Sequence, residues 1–97
     1  MKYAIHFRDD VFAEIVSIYK WYENQSKGLG SLFIEELEFC FDNIRSNPFL
    51  FEKKYKNFRQ VVTKKFPYLV IFEVEGNSII IYHIIHTRRN PDLKFKR

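Results

Sequence analysis

The sequence predicts an α+β fold: a helical hairpin packed on one face of a small, mainly antiparallel sheet, in the order β-α-α-β-β-β. Three observations carry this. The first half holds two stretches with apolar residues at helical spacing. The second half holds strand-like runs broken by turn residues. A short alternating segment precedes both. Helices and strands segregated in this way pack as two layers around one core. With 97 residues, the expectation is one domain spanning 1–97.

The opening KYAIHF alternates, placing Tyr3, Ile5 and Phe7 on one side, and reads as a strand. Asp9 and Asp10 then suit the first turn of a helix, where carboxylates answer free N–H groups and the positive end of the dipole. Val11, Ile15, Ile18 and Tyr22 form its apolar stripe, which fades at NQSKG. Residues 28–46 form a second helix with Phe33, Leu37, Cys40 and Ile44 on one face, widened by Leu32 and Phe41. Glu35, Glu36, Glu38 and Asp42 are left for solvent. Pro48 ends it.

FLFEKKYKN reads as a connection, FRQVVT as a short strand and KKFP as its break. YLVIFEV and IIIYHIIH form a hairpin through a two-residue Gly76-Asn77 loop of primed type. That loop fixes the register. It sets Val74 opposite Ile79, Phe72 opposite Ile81, Val70 opposite His83 and Tyr68 opposite Ile85 on the helix-facing side. Leu69, Ile71 and Glu73 then share the other side with Ile84, Tyr82 and Ile80, and His86 falls near Pro67. This second face is mixed and is expected to be partly open.

Composition narrows the function classes. Cys40 is the single cysteine, so neither an internal disulfide nor a thiol-based zinc cluster can form. Its place on an apolar helix face makes it a core residue rather than a nucleophile. No signal peptide and no run of about 18 apolar residues is evident, so a reducing, cytoplasmic setting is expected and no membrane partner. No metal or cofactor motif is present: there is no H-E-x-x-H, Gly-rich phosphate loop or nucleophile elbow. The charge is lopsided. Residues 1–50 carry five Lys/Arg against eight Asp/Glu, a net −3; residues 51–97 carry eleven against four, a net +7. The basic half points to an anionic partner.

IIHTRRNP places Arg88 and Arg89 where the most apolar segment meets solvent. Lys53, Lys54 and Lys56 precede the FRQVVT strand, Arg59 lies on it, and Lys64 and Lys65 leave it. A lone lysine at a strand end is an ordinary guard against edge aggregation. Adjacent arginines suit carboxylate or phosphate, because each planar fork donates two parallel hydrogen bonds. Of the histidines, His6 reads as a surface residue and His83 as a core imidazole. His86, placed on the mixed face beside the arginines, is either structural or a general acid or base. Trp21 and Tyr22 read as packing, or as a floor for a bound partner segment.

The piece FPYLVIFEVEGNSIIIYHIIHTRRNP, the helix VFAEIVSIYKWY and the element order together resemble the RelE/ParE superfamily of toxins from type II toxin–antitoxin systems. FPY entering a strand, then a hairpin, then H-x-R-R-x-P is most similar to the ParE, or plasmid-stabilisation, branch. The resemblance implies a protein that inhibits DNA gyrase by binding, and that is silenced by a cognate acidic antitoxin in a hetero-oligomer. Arg59, Tyr82, His86, Arg88 and Arg89 are its expected partner- or target-binding residues. RelE-like relatives are instead ribosome-dependent mRNA endoribonucleases, with the ribosome and mRNA as partners. Lys53, Lys54, His86 and Arg89 would be the catalytic set here. The basic residue that such enzymes carry early in the YLV strand is missing, as is a Tyr or His in TRRNPDLKFKR. A third reading is a basic module that binds nucleic acid through its backbone.

Overall fold

The computed structural model describes residues 3–88. Strand β1 (Ala4–Phe7) leads into helices α1 (Asp9–Gln25) and α2 (Leu29–Ser46). A 3-10 turn (Pro48–Leu50) follows, then strands β2 (Lys53–Tyr55), β3 (Phe58–Val62), β4 (Tyr68–Glu75) and β5 (Ser78–His86). The five strands form one sheet in the order β1-β5-β4-β3-β2. All neighbours are antiparallel except β1 and β5, which run parallel. The α+β architecture is the expected one, with one strand more than expected. Residues 53–55 join the sheet although all three side chains are exposed and carry no apolar alternation. They are held by pairing with β3 across the Lys56-Asn57 turn. Lys56 takes a φ of 50° there, a left-handed conformation that costs a side-chain-bearing residue about 1 kcal/mol.

The helical hairpin covers one sheet face. Val11, Ile15, Ile18 and Tyr22 of α1 meet Phe33, Leu37, Cys40, Phe41 and Ile44 of α2 over Tyr68, Val70, Phe72, Ile79, Ile81 and Ile84. Tyr22, Phe33, Phe66 and Tyr68 form an aromatic centre with ring centroids 4.9–6.3 Å apart. Leu32, expected to widen the buried face of α2, is exposed. The start of α2 is fixed by a contact between the helices. The Glu23 carboxylate accepts from the backbone N–H of Gly28 (2.8 Å) and of Gly30 (2.9 Å). That places a negative charge where the α2 dipole is positive.

The hairpin register holds as far as Phe72 opposite Ile81, with Gly76 at a φ of 59° in the two-residue loop. A bulge then inserts Tyr82. Beyond it Ile71 faces His83, Val70 faces Ile84, Leu69 faces Ile85 and Tyr68 faces His86. The expected pairs Val70–His83 and Tyr68–Ile85 are therefore replaced. Without the bulge an imidazole would sit in the core opposite Val70. With it Ile84 enters the core and His83 is only half-buried on the other face. This avoids the cost of burying a polar ring among hydrocarbon. It also carries His86 to the helix-facing side, against expectation.

The second face is better packed than a mixed pattern suggests. Phe58, Leu69, Ile71 and Tyr82 are all buried there, with Ile80 against them. The rings of Phe58 and Tyr82 stand 5.0 Å apart, and the Arg8 guanidinium lies 5.4 Å from the Tyr82 ring.

Candidate functional site

The C-terminal end of β5 meets the C-terminal half of α1 in a cleft of about 460 Å³, lined by Ser17, Ile18, Trp21, Tyr22, Tyr68, His86 and Arg88. Three local features build it. The bulge at Tyr82 turns His86 toward α1, where its ring meets Tyr68 edge-on at 5.4 Å. The backbone N–H of Thr87 donates to the Pro67 carbonyl at 2.8 Å, which anchors the chain as it leaves the strand. The backbone N–H of Arg88 then donates to His86 Nδ1 at 3.2 Å. An acceptor Nδ1 leaves the proton of a neutral imidazole on Nε2.

Along α1, Ser17, Ile18, Trp21 and Tyr22 fall on one face because three- and four-residue spacings do. Ile18 and Tyr22 pack into the core, whereas Trp21 is 58% exposed and rests edge-on against Tyr22 at 5.0 Å. The cleft thus joins an exposed indole, an oriented imidazole and an exposed guanidinium. Such a surface can stack on flat groups, bury hydrocarbon and bind an anion. Aromatic and Arg side chains together are also the usual anchors of protein interfaces.

The expected site residues do not all gather here. His86 and Arg88 do. Arg89 lies outside the described residues. Arg59 pairs with Phe72, four register rows and two strands from the Tyr68–His86 row, roughly 13 Å along the strands. Its guanidinium donates to the Phe51 carbonyl at 2.7 Å and lies 5.0 Å from the Phe49 ring, bracing the 3-10 turn. Tyr82 is buried at 8% exposure, and its hydroxyl donates to Glu73 at 2.9 Å. The two therefore occupy internal contacts away from the cleft. Lys53 and Lys54 sit on β2, three strands from β5, and Lys54 pairs with Glu52 at 3.4 Å. The set Lys53, Lys54 and His86 is not brought together among the described residues. His6 is exposed on β1, as expected.

The sequence reading missed Trp21 and Tyr68 as walls of one cleft with His86. The available signal was His83, a polar residue in an apolar stripe, which marks a strand whose faces exchange partway. Cys40 is 7% exposed, and burial, with Glu36 nearby, pushes its thiol up to about 12. It is a protonated core residue, as expected. Among the described residues no group of three or more His, Cys, Asp or Glu could hold a metal ion, and no helix is long and apolar enough to cross a membrane.

Comparison with known proteins meets this geometry. A chain of the chromosomal ParDE TA system from P. aeruginosa has the same fold, with a TM-score of 0.78. The match covers 90% of this chain and 98% of that one at 13% identity. No curated protein is significantly similar in sequence. The sequence profile of the ParE toxin of type II toxin–antitoxin system, parDE, matches residues 5–91. That match takes in every strand and both helices except the first residue of β1, and it ends just past the cleft. The chain belongs to the ParE toxin family of type II toxin–antitoxin systems.

Proposed function

We propose that this protein inhibits DNA gyrase by binding it, acts in the cytoplasm, and is neutralised by a cognate acidic antitoxin. Membership of a toxin–antitoxin family implies the antitoxin partner. The gyrase target is the activity typical of the ParE branch that the sequence resembles. The observation that carries the reading is the family match over residues 5–91, on a chain whose exposed Trp21 and Arg88 converge with the half-buried His86 in one cleft. We assign that cleft to contact with a protein. Exposed aromatic and Arg groups, with no acid–base set assembled among the described residues, support recognition over bond breaking.

The test is a supercoiling assay with purified gyrase, beside a translation reaction in which mRNA is followed by primer extension. Added protein is expected to block supercoiling or trap cleaved DNA at amounts equimolar with gyrase or above, and to leave mRNA whole. Codon-specific mRNA cleavage on ribosomes, with supercoiling unchanged, would establish the endoribonuclease activity instead. Salt-sensitive binding to naked duplex with neither effect would establish a nucleic-acid-binding module.

A further inference from the structure

The positive charge of the chain is gathered on one rim of the molecule. Residues 52–65 carry six Lys/Arg against one Asp/Glu, a net +5, which more than accounts for the +4 of the whole chain. The helical layer is the reverse: residues 9–46 carry three against eight, a net −5. The fold keeps the two apart. Residues 52–65 form β2, β3 and the start of the β3–β4 loop, at the opposite edge of the sheet from β1.

Five of the six cations are exposed lysines, and they stand in two groups. Lys53, Lys54 and Lys56 lie on β2 and its turn, and Lys64 and Lys65 on the loop after β3. The sixth is Arg59, the internal brace. Strand β3 holds the two groups roughly 15–20 Å apart along the edge. Lys54 is paired with Glu52 at 3.4 Å, whereas no ion pair among the described residues holds Lys53, Lys56, Lys64 or Lys65. The loop is fixed in place, since the backbone N–H of Lys65 donates to the Glu36 carboxylate. Lys56 is the strained residue of its turn, at a φ of 50° where glycine or asparagine costs less. A cation kept in such a conformation points to a use for its charge.

Lysine is depleted at protein interfaces but is a regular contact to phosphate. Its ammonium is a point charge on a flexible stem, which suits a repeating row of phosphates better than one fixed carboxylate. B-form DNA presents two such rows, on either side of a major groove about 12 Å wide, and two lysine groups on one edge can straddle it. The acidic helices are repelled by the same phosphates, which sets the molecule edge-on. The β3–β4 loop also lies at the cleft's end of the sheet, because its Pro67 carbonyl accepts from the Thr87 N–H. A duplex on the lysines therefore runs beside a protein held in the cleft.

We propose that the β2–β3 edge binds the phosphate backbone of duplex DNA, with Lys53, Lys54 and Lys56 on one side of a groove and Lys64 and Lys65 on the other. The cleft takes a protein, and the edge takes the DNA that the protein holds. Only that source of the DNA rests on the gyrase reading; the surface itself is independent of it.

Fluorescence anisotropy with the protein alone and a labelled duplex of about two helical turns tests this. Affinity is expected to fall steeply with salt, with log K against log salt sloping by about −3.5 to −4.5, from roughly 0.9 per phosphate for four or five lysines. Lys53→Gln/Lys54→Gln/Lys56→Gln and Lys64→Gln/Lys65→Gln are each expected to weaken binding about tenfold or more at low salt and to flatten the slope. Lys20→Gln/Lys27→Gln, exposed on the helical side, is expected to change it little. Equal weakening by this last pair would reduce the binding to net charge and overturn the proposal. Competition settles the ligand on the wild-type protein, whether or not a variant folds. Single-stranded DNA has no groove to straddle, so its competing as well as duplex would overturn the proposal. Equal competition by polyglutamate would assign the edge to an acidic protein, and by phosphatidylglycerol vesicles to a membrane surface; either overturns it. Supercoiling is read in a separate assay, so DNA binding and gyrase inhibition can each fail alone.

Discussion

Cys40 shows how burial decides a residue's chemistry. Its thiol is raised to about 12 by desolvation, with Glu36 adding to the effect, against 9.0 for the free group. The folded value is the higher one, so the associated stability is complete below about pH 9 and falls as pH rises from there through about 12. Over that window the unfolded chain has released a proton that the folded chain keeps. Wild type is expected to lose stability relative to Cys40→Ala across that interval, at up to about 1.4 kcal/mol per pH unit. Urea midpoints of the two proteins at several alkaline pH values check this. Equal slopes would place the thiol in contact with water. Arg59 teaches the same lesson in reverse. A cation on a strand invites a binding role, yet this one braces Phe51 and Phe49. Arg59→Ala is expected to cost about 1 kcal/mol of stability and to leave gyrase inhibition by the folded fraction unchanged. Thermal melts and the supercoiling assay on the same sample separate the two. An Arg that caps a carbonyl and an Arg that meets a partner look alike in a sequence, because neither the carbonyl's position nor the ring's is written locally.

At the scale of elements, the joint between α1 and α2 is the tightest constraint. A methyl at Gly30 would meet the Tyr19 carbonyl oxygen at 2.6 Å, the Tyr19 ring at 2.8 Å and Glu23 Oε1 at 2.9 Å. One of these neighbours is backbone and another the half-buried Tyr19 ring, so the hairpin must open to admit it. Gly30→Ala is expected to destabilise by about 1–3 kcal/mol, although alanine is the better helix former by about 1. Glu23→Gln, which keeps one acceptor for the two amides and loses the charge, is expected to cost about 1 kcal/mol. Chemical denaturation would rank them, and a milder Gly30→Ala than Glu23→Gln would show that the helices are not in close contact. The helices were legible because their apolar stripes repeat at one period throughout, and the long strands because each is a nearly continuous apolar run closed by turn residues. Strand β2 was not, since an exposed edge strand of three residues owes its place to a partner and has no pattern of its own. The bulge was half legible. A histidine inside an apolar stripe conflicts with the register, and one extra residue is the local way to resolve that conflict. Missing it moved His86 to the wrong face, and with it the centre of the candidate site.

For the molecule as a whole, the cleft depends on parts far apart in sequence. Trp21 is set by the α1 stripe, Tyr68 by the start of β4, and His86 by the bulge in β5. Its members were foreseeable one at a time, His86 and Arg88 among them, but their company was not, because it exists only once the helical hairpin lies on the sheet. This arrangement makes a prediction that separates function from stability. Trp21 and Arg88 project from the framework instead of supporting it, so Trp21→Ala and Arg88→Glu are each expected to shift stability by no more than about 0.5 kcal/mol. If the cleft is the gyrase contact, each removes an anchor of the kind whose truncation costs about 2 kcal/mol or more in protein interfaces. The concentration of protein needed to inhibit supercoiling should then rise by about tenfold or more for either variant. Neighbouring groups in one contact are not independent, so the double variant should lose less than the product of the two. Melting curves alongside the titration keep the comparison to folded protein. Full inhibition by a stably folded double variant would remove the cleft from the gyrase contact, and a product of independent losses would place Trp21 and Arg88 in separate contacts.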